Sequence, residues 1–201
     1  MRRGMMSMIL GLLLIVAALS LTGYNLWEDK KAGDVAQDAL AQLTPMITNV
    51  AKTTVSDVEE YPDYILNPDM DMPETSLNGK NYIGVLKILS LDIELPVLGQ
   101  WSYSNLKIAP CLYSGTAYNG NMVICAHNYQ SHFGQLKNIS IGDLITFTDI
   151  DGNVFAYRVL EVETLQSAAV EEMISDDYDF TLFTCTLSGR SRVTVRCEKC
   201  N

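Results

Sequence analysis

Thr181-Leu182-Phe183-Thr184-Cys185, with Arg192 seven residues beyond the cysteine, is the stretch on which the fold turns. Residues 179–186 are apolar and β-branched enough to form a strand, and residues 191–197 read as its partner. Leu187-Ser188-Gly189-Arg190 lies between them, and its Ser-Gly pair suits a two-residue hairpin turn. Counting outward from that turn, Leu187 faces Arg190, Thr186 faces Ser191 and Cys185 faces Arg192. Opposed residues of an antiparallel pair share a face, with Cβ atoms roughly 4.5–5.5 Å apart. The hairpin is therefore predicted to set a thiol beside a permanent cation. A slip of one residue, to a Gly189-Arg190 turn, would put Thr194 opposite Cys185 instead.

A thiol attacks as the thiolate, and a neighbouring guanidinium favours that charged form. An acid or base must accompany it, and the chain has two histidines, His127 and His132. His127 ends the apolar run Met122-Val123-Ile124-Cys125-Ala126 and so stands at a strand end; His132, in the turn-like Gln130-Ser131-His132-Phe133, is the fallback. Arg190 and Arg196 compete with Arg192 for the role of oxyanion donor. Arg190 belongs to the turn, and Arg196 lies about 13 Å further along the strand at roughly 3.3 Å per residue. By residue type alone Cys185 would be a buried core thiol, the usual fate of cysteine. Cys125, on the same strand face as His127, is the rival nucleophile, although its apolar neighbours point to a buried, protonated thiol.

Thr181 to Cys185, Arg192-Val193-Thr194-Val195 and the upstream Asn121-Met122-Val123-Ile124-Cys125-Ala126-His127-Asn128 together resemble the sortase family over roughly residues 80–198. That resemblance implies a β-barrel and a cysteine transpeptidase working without cofactor or metal. Cys185 would be the nucleophile and His127 the general acid, then base. Arg192 would stabilise the oxyanion or the substrate backbone, and Thr184 would support the site through the backbone or the substrate-binding pocket. The substrates implied are exported proteins with a C-terminal sorting signal similar to Leu-Pro-x-Thr-Gly, cleaved between Thr and Gly through a thioacyl-enzyme. An amine of a peptidoglycan precursor or a pilin lysine would resolve that intermediate. His127-Asn128 is similar to the class B pattern, yet residues 166–180 are short for the helix-bearing loop of that class. The lack of a second apolar span up to Asn201 argues against the pilus-polymerising class.

The 201 residues suit one domain plus a tail. Arg2 and Arg3 precede residues 4–27, which carry no charge, and Tyr24 and Trp27 fit an aromatic interface belt. Residues 1–27 are thus expected to be a single-pass membrane anchor, with the amino end cytoplasmic and the rest of the chain extracellular. A cleaved signal peptide is the rival: Ala17-Ala18-Leu19-Ser20 offers small residues, but there is no clean A-x-A site and the apolar run is long. Beyond Trp27 stand 12 basic and all 24 acidic residues, a net −12, which argues against nucleic acid as a partner. Five cysteines, an odd count, suggest at least one free thiol. Cys197 and Cys200 have metal-ligand spacing but no second such pair.

Residues 28–79 are expected to be a helical and extended stalk or strap. Val35, Ala39, Leu43 and Ile47 recur every fourth residue as an amphipathic helix, interrupted at Pro45, that either packs on the domain or holds it off the membrane. Residues 61–78, with Pro62, Pro68 and Pro73, read as an extended spacer or a lid. Residues 80–201 then form the barrel. Strands are predicted at 82–88, 93–97, 111–116, 122–127, 144–150, 154–165, 179–186 and 191–197, with short helices near 133–139 and 168–175. Asn119-Gly120 and Asp151-Gly152 mark turns. Eight strands with few helices give an all-β fold, a closed eight-stranded antiparallel β-barrel. A membrane-tethered binding barrel without chemistry, and a peptidase that lets water resolve the acyl-enzyme, are the alternative functions.

Overall fold

The computed structural model describes residues 2–54 and 61–200. Period-two patterning builds the barrel wall. In Leu144–Asp149 (β6), Ile145, Phe147 and Asp149 are buried while the residues between them are more open. The same alternation runs through the first half of Val154–Gln166 (β7), where Phe155, Tyr157 and Val159 point inward. The remaining strands are Thr75–Leu77 (β1), Lys80–Ile88 (β2), Ile93–Leu98 (β3), Cys111–Ser114 (β4), Met122–Ala126 (β5), Phe180–Cys185 (β8) and Ser191–Lys199 (β9). Eight of them close in the order β2-β3-β4-β5-β8-β9-β7-β6, with β6 returning to β2 from Gly84↔Asp149 to Ile88↔Ile145. Gly84 permits the closure, because a Cβ there would collide with the Thr148 carbonyl and the Phe147 ring. β1, unforeseen in the strap, shares the β6 edge of β2 at Lys80–Tyr82.

The barrel is closed and eight-stranded, but mixed rather than antiparallel. β3 meets β4 in parallel at Leu98↔Cys111, and β5 runs parallel to β8 from Met122↔Phe180 to Ala126↔Thr184. Turn residues announce only hairpins, which are antiparallel by construction, whereas parallel neighbours need a long crossover. Between β5 and β8 that crossover consists of β6, β7 and the short helix Val170–Met173.

Arg2–Thr54 (α1) is one continuous helix. Its first half is exposed and apolar, with mean hydropathy 2.2 over its most apolar window, long and apolar enough to cross a membrane. Its second half lays Ala32, Ala36, Ala39, Leu43 and Ile47 against the barrel, a single stripe at helical spacing. The expected break at Pro45 does not occur. Pro45 lies on the open side, and burial of Leu43 and Ile47 on either side of it offsets the lost backbone hydrogen bond. The proline-rich strap packs on the barrel instead of crossing it. Tyr64, in Asp63–Leu66 (α2), stacks on Tyr118 at 4.7 Å and meets Phe155 at 5.3 Å, and Met72 is buried. Tyr118 precedes β5, so the strap docks at the end of that strand away from His127.

Arg196 and His132 are the telling buried polar side chains. Arg196 of β9 donates from Nε to Glu163 Oε1 (2.8 Å), from Nη1 to Met173 O and Thr181 Oγ1 (3.1 Å each), and from Nη2 to Glu172 O (2.6 Å). It thereby pins the helix Val170–Met173 (α4), which follows the short helix Tyr103–Leu106 (α3) in the chain, to the barrel. Arg196→Met should strand Glu163 and both carbonyls, lowering stability by about 3 kcal/mol in denaturant titration. His132 is fully buried with neither ring nitrogen in full hydrogen-bond geometry, and burial, helped by nearby His127 and opposed by Asp29 and more weakly by the backbone of Ala32 and Ile108, pushes its pKa down to about 4. Because its pKa is lower in the folded than in the unfolded chain, its contribution is complete above about pH 6.5 and is lost as the pH falls towards 4. His132→Phe should remove about 3 kcal/mol of acid sensitivity across that window, read as a flatter stability-against-pH curve than wild type.

Candidate active site

Parallel pairing carries β5 and β8 to the same barrel edge. Ala126 is level with Thr184, so His127 and Cys185 are the next residue of each strand. On the other side of β8, Cys185 is opposite Arg192, the register the hairpin count predicts. The turn itself is longer than two residues. Thr186 N–H donates to Ser191 O (3.0 Å) and Gly189 N–H to Thr186 O (2.8 Å), with Gly189 at φ 70°, so residues 187–190 form the loop. The Thr186 carbonyl turns into the loop to meet Gly189 N–H, which frees Leu187 and Arg190 from facing each other. One residue is added on each side, so the register of Cys185 is preserved.

Thr184 alternates to the opposite face from Cys185, as the period of a strand requires. Its Oγ1 donates to Ala126 O at 2.9 Å, a buried link joining the two strands one residue before the thiol and the imidazole. Cys185, His127 and Arg192 are each half-buried and line one cavity of about 190 Å³. Arg192 Nη1 donates to Gly189 O (3.0 Å) and Ser191 O (3.1 Å), which ties the guanidinium to the turn. Arg190 is exposed on the loop, and Arg196 is committed to α4. His132 is buried within the loop that follows His127 and does not line the cavity.

Burial acts on two of the thiols near the site. Burial, then the neighbouring Cys111, pushes the Cys125 thiol far up, so it stays protonated although it borders the same cavity. Cys111, opposite Cys125 in the β4–β5 register, is itself pushed up to about 12 by burial. All five cysteines are free. His127 is held below the ordinary histidine range by burial and by Lys107, with Glu28 opposing. The imidazole stacks on Tyr129 at 4.7 Å. Among the described residues no cluster of three His, Cys, Asp or Glu side chains is arranged to hold a metal.

The cavity wall was mostly unanticipated. Phe183, two residues before Cys185, packs edge-on against Tyr113 at 5.2 Å, Tyr113 against Trp101 at 5.7 Å, and Trp101 edge-on against Tyr103 at 6.0 Å. Val170 and Met173 of α4 form part of the wall, and none of the described residues of 61–78 lines it. Only Phe183 carried a signal in the sequence, through its alternation with Cys185.

The sortase domain family matches residues 86–200, more than half of the chain and all four candidate site residues, Cys185, His127, Arg192 and Thr184. No functionally curated sequence is similar enough to match. Among solved structures, sortase C from Clostridium perfringens SM101 is 23% identical, with 84% of this chain and 90% of that chain covered, at a TM-score of 0.53. A Clostridium perfringens sortase D5 transpeptidase is 18% identical over 84% of this chain and 99% of that one, at 0.60. Sortase C of Streptococcus pneumoniae is 23% identical over 87% and 88%, at 0.57. At such identities the likeness is one of fold, and the domain match carries the assignment: the chain belongs to the sortase family of cysteine transpeptidases.

Proposed function

We propose that this chain is a membrane-anchored transpeptidase that cleaves a sorting signal similar to Leu-Pro-x-Thr-Gly between Thr and Gly and joins the acyl part to an amine. One observation carries the reading: Cys185, His127 and Arg192 share one barrel edge and line one cavity. The apolar stretch of α1 is the anchor. Arg2 and Arg3 before it and Glu28 and Asp29 after it set the amino end in the cytoplasm and the barrel outside. The substrates are exported proteins with a C-terminal sorting signal, and the acceptor is a peptidoglycan precursor or a pilin lysine. The aromatic wall, with no acidic side chain among the described lining residues, suits the apolar Leu-Pro half of such a signal.

The neutral His127 imidazole takes the Cys185 proton, and the thiolate attacks the threonine carbonyl carbon to form a C–S bond. The negative oxygen is met by Arg192. Among the described residues only its Nη1 is engaged, leaving Nε and Nη2 as donors. Collapse breaks the C–N bond, and His127 gives its proton to the departing glycine amine. The acceptor amine then attacks the thioester and loses its proton to His127, and cleavage of the C–S bond restores the Cys185–His127 pair. Thr184, through its bond to Ala126 O, holds both strand ends in place for these transfers.

Incubating the chain with a sorting-signal peptide and an added amine, then analysing by mass spectrometry, tests the reading. A mass shift on Cys185 and a peptide–amine product are expected. Free acid alone means a peptidase, and no adduct means a binding barrel. Cys185→Ala should abolish the adduct while Cys125→Ala keeps it, and limiting iodoacetamide followed by peptide mapping should label Cys185 first. Modification of Cys125 first, with transfer surviving Cys185→Ala, would reverse the assignment. Arg192→Ala should lower turnover by at least about a hundredfold with the fold intact, the scale of losing an oxyanion donor. Arg190→Ala should cost little, and equal losses at both positions would sink the role given to Arg192.

A further inference from the structure

The loop after His127 holds itself only in part. Tyr129 O accepts from His132 N–H (3.0 Å) and Gly134 N–H (2.8 Å), and Phe133 N–H reaches back to His127 O (3.2 Å). The two amides between these, at Gln130 and Ser131, find their partner about a hundred residues away on α1. Gln130 N–H donates to Asp29 Oδ2 (3.0 Å) and Ser131 N–H to Asp29 Oδ1 (3.1 Å). Ser131 Oγ donates to Asp29 Oδ1 (2.6 Å) and lies 3.0 Å from Asp29 O. Burial works against the Asp29 carboxylate, yet the bonds from Ser131 and Gln130 outweigh it and keep it below the ordinary carboxylate range. Gly33, one turn on, leaves room for the loop: a Cβ there would press on Ser131 Cβ at 2.8 Å.

The contact is continuous with the imidazole. Tyr129, whose carbonyl braces the loop, stacks on His127 at 4.7 Å and lies 5.6 Å from His132, ring to ring. Beside Asp29, Glu28 Oε1 accepts from Lys107 Nζ (3.1 Å) and Tyr24 OH (2.9 Å), so two charges that act on His127 are held together at this turn of α1.

We propose that Asp29 is a positioning residue for His127: the first turn of α1 beyond its apolar stretch chelates the loop backbone and fixes the imidazole against Cys185. The helix that carries the apolar segment thus reaches the barrel at its catalytic end and completes the site there. The inference rests on the catalytic reading of His127, and its test separates the two.

The full chain in detergent micelles is compared with Asp29→Ala, Asp29→Asn, Leu43→Ala and His127→Ala. Imidazole Cε1–Hε1 correlations are recorded alongside transfer of a Leu-Pro-Gln-Thr-Gly peptide to a glycine amide. Two histidines give two correlations, assigned through His127→Ala. Asp29→Ala should shift or broaden the His127 correlation and lower kcat about tenfold or more with KM nearly unchanged, as misplacement of a catalytic group does. Asp29→Asn, which keeps one acceptor oxygen for the loop, should fall between wild type and Asp29→Ala. Leu43→Ala removes a fully buried contact of the same helix. It should lower the melting temperature at least as far while leaving the His127 correlation and kcat in place. An unmoved His127 correlation in Asp29→Ala overturns the proposal, as does Leu43→Ala producing the same spectral and kinetic loss. If His127→Ala transfers as fast as wild type, the catalytic reading fails, and the spectra still report whether Asp29 holds the imidazole.

Discussion

The parallel pairing of β5 with β8 is the constraint on which the rest depends. Were these strands antiparallel, the carboxyl end of one would sit at the amino end of the other, and His127 and Cys185 would lie at opposite ends of the barrel. As built, Ala126 is level with Thr184 and the Thr184 hydroxyl ties the two strands at that level. A buried hydrogen bond contributes only about 1 kcal/mol net. Its importance is geometric, because it sits one residue from both His127 and Cys185 and resists a slip that would separate them. The pairing asks for a long crossover, and β6, β7 and α4 meet that need while closing the barrel and walling the cavity.

Arg196 shows how the wall and the strands are coupled. It shares the β9 face of Arg192, but burial makes every donor count, and its guanidinium is used up on Glu163, Thr181 and the carbonyls of Glu172 and Met173. Arg192, four residues nearer the hairpin, has a half-open surround and spends only Nη1 on the turn. The same division applies to the thiols. Cys125 and Cys185 border one cavity, yet Cys125 is buried inside β5, where ionisation is opposed, and Cys185 is half-buried at the end of β8, opposite Arg192 in register.

Local pairing was legible in the sequence and distant pairing was not. The Cys185↔Arg192 register could be counted out from the Ser-Gly pair, and the count survived an error in turn length because the loop grew evenly on both sides. The parallel contacts left no such mark, since no turn residue announces a parallel partner, whether across the β3–β4 crossover or across the far longer one between β5 and β8. The α1 stripe was half legible. Stepping by four selects Val35, Ala39, Leu43 and Ile47, but 3.6 residues per turn rotates that row, so Ala32 and Ala36 are buried and Val35 is open. The aromatic wall was not legible, because Trp101, Tyr103 and Tyr113 come together only when the segment between β3 and β4 folds over the Phe183 face.

Glu28 and Asp29 carried a second message that charge counting alone could not reveal. Read along the chain, they are the acidic flank of an apolar segment. In three dimensions Asp29 meets the backbone of Gln130 and Ser131, and Glu28 meets Lys107, one of the charges that set His127. A helix without a break links those contacts to the apolar stretch, and the small residues Ala32, Gly33 and Ala36 let it lie close to the barrel. A flexible tether would leave the loop amides of Gln130 and Ser131 to water. A rigid helix instead brings its own acceptors to them, so the geometry of the loop after His127 is set by the element that precedes the barrel in the chain.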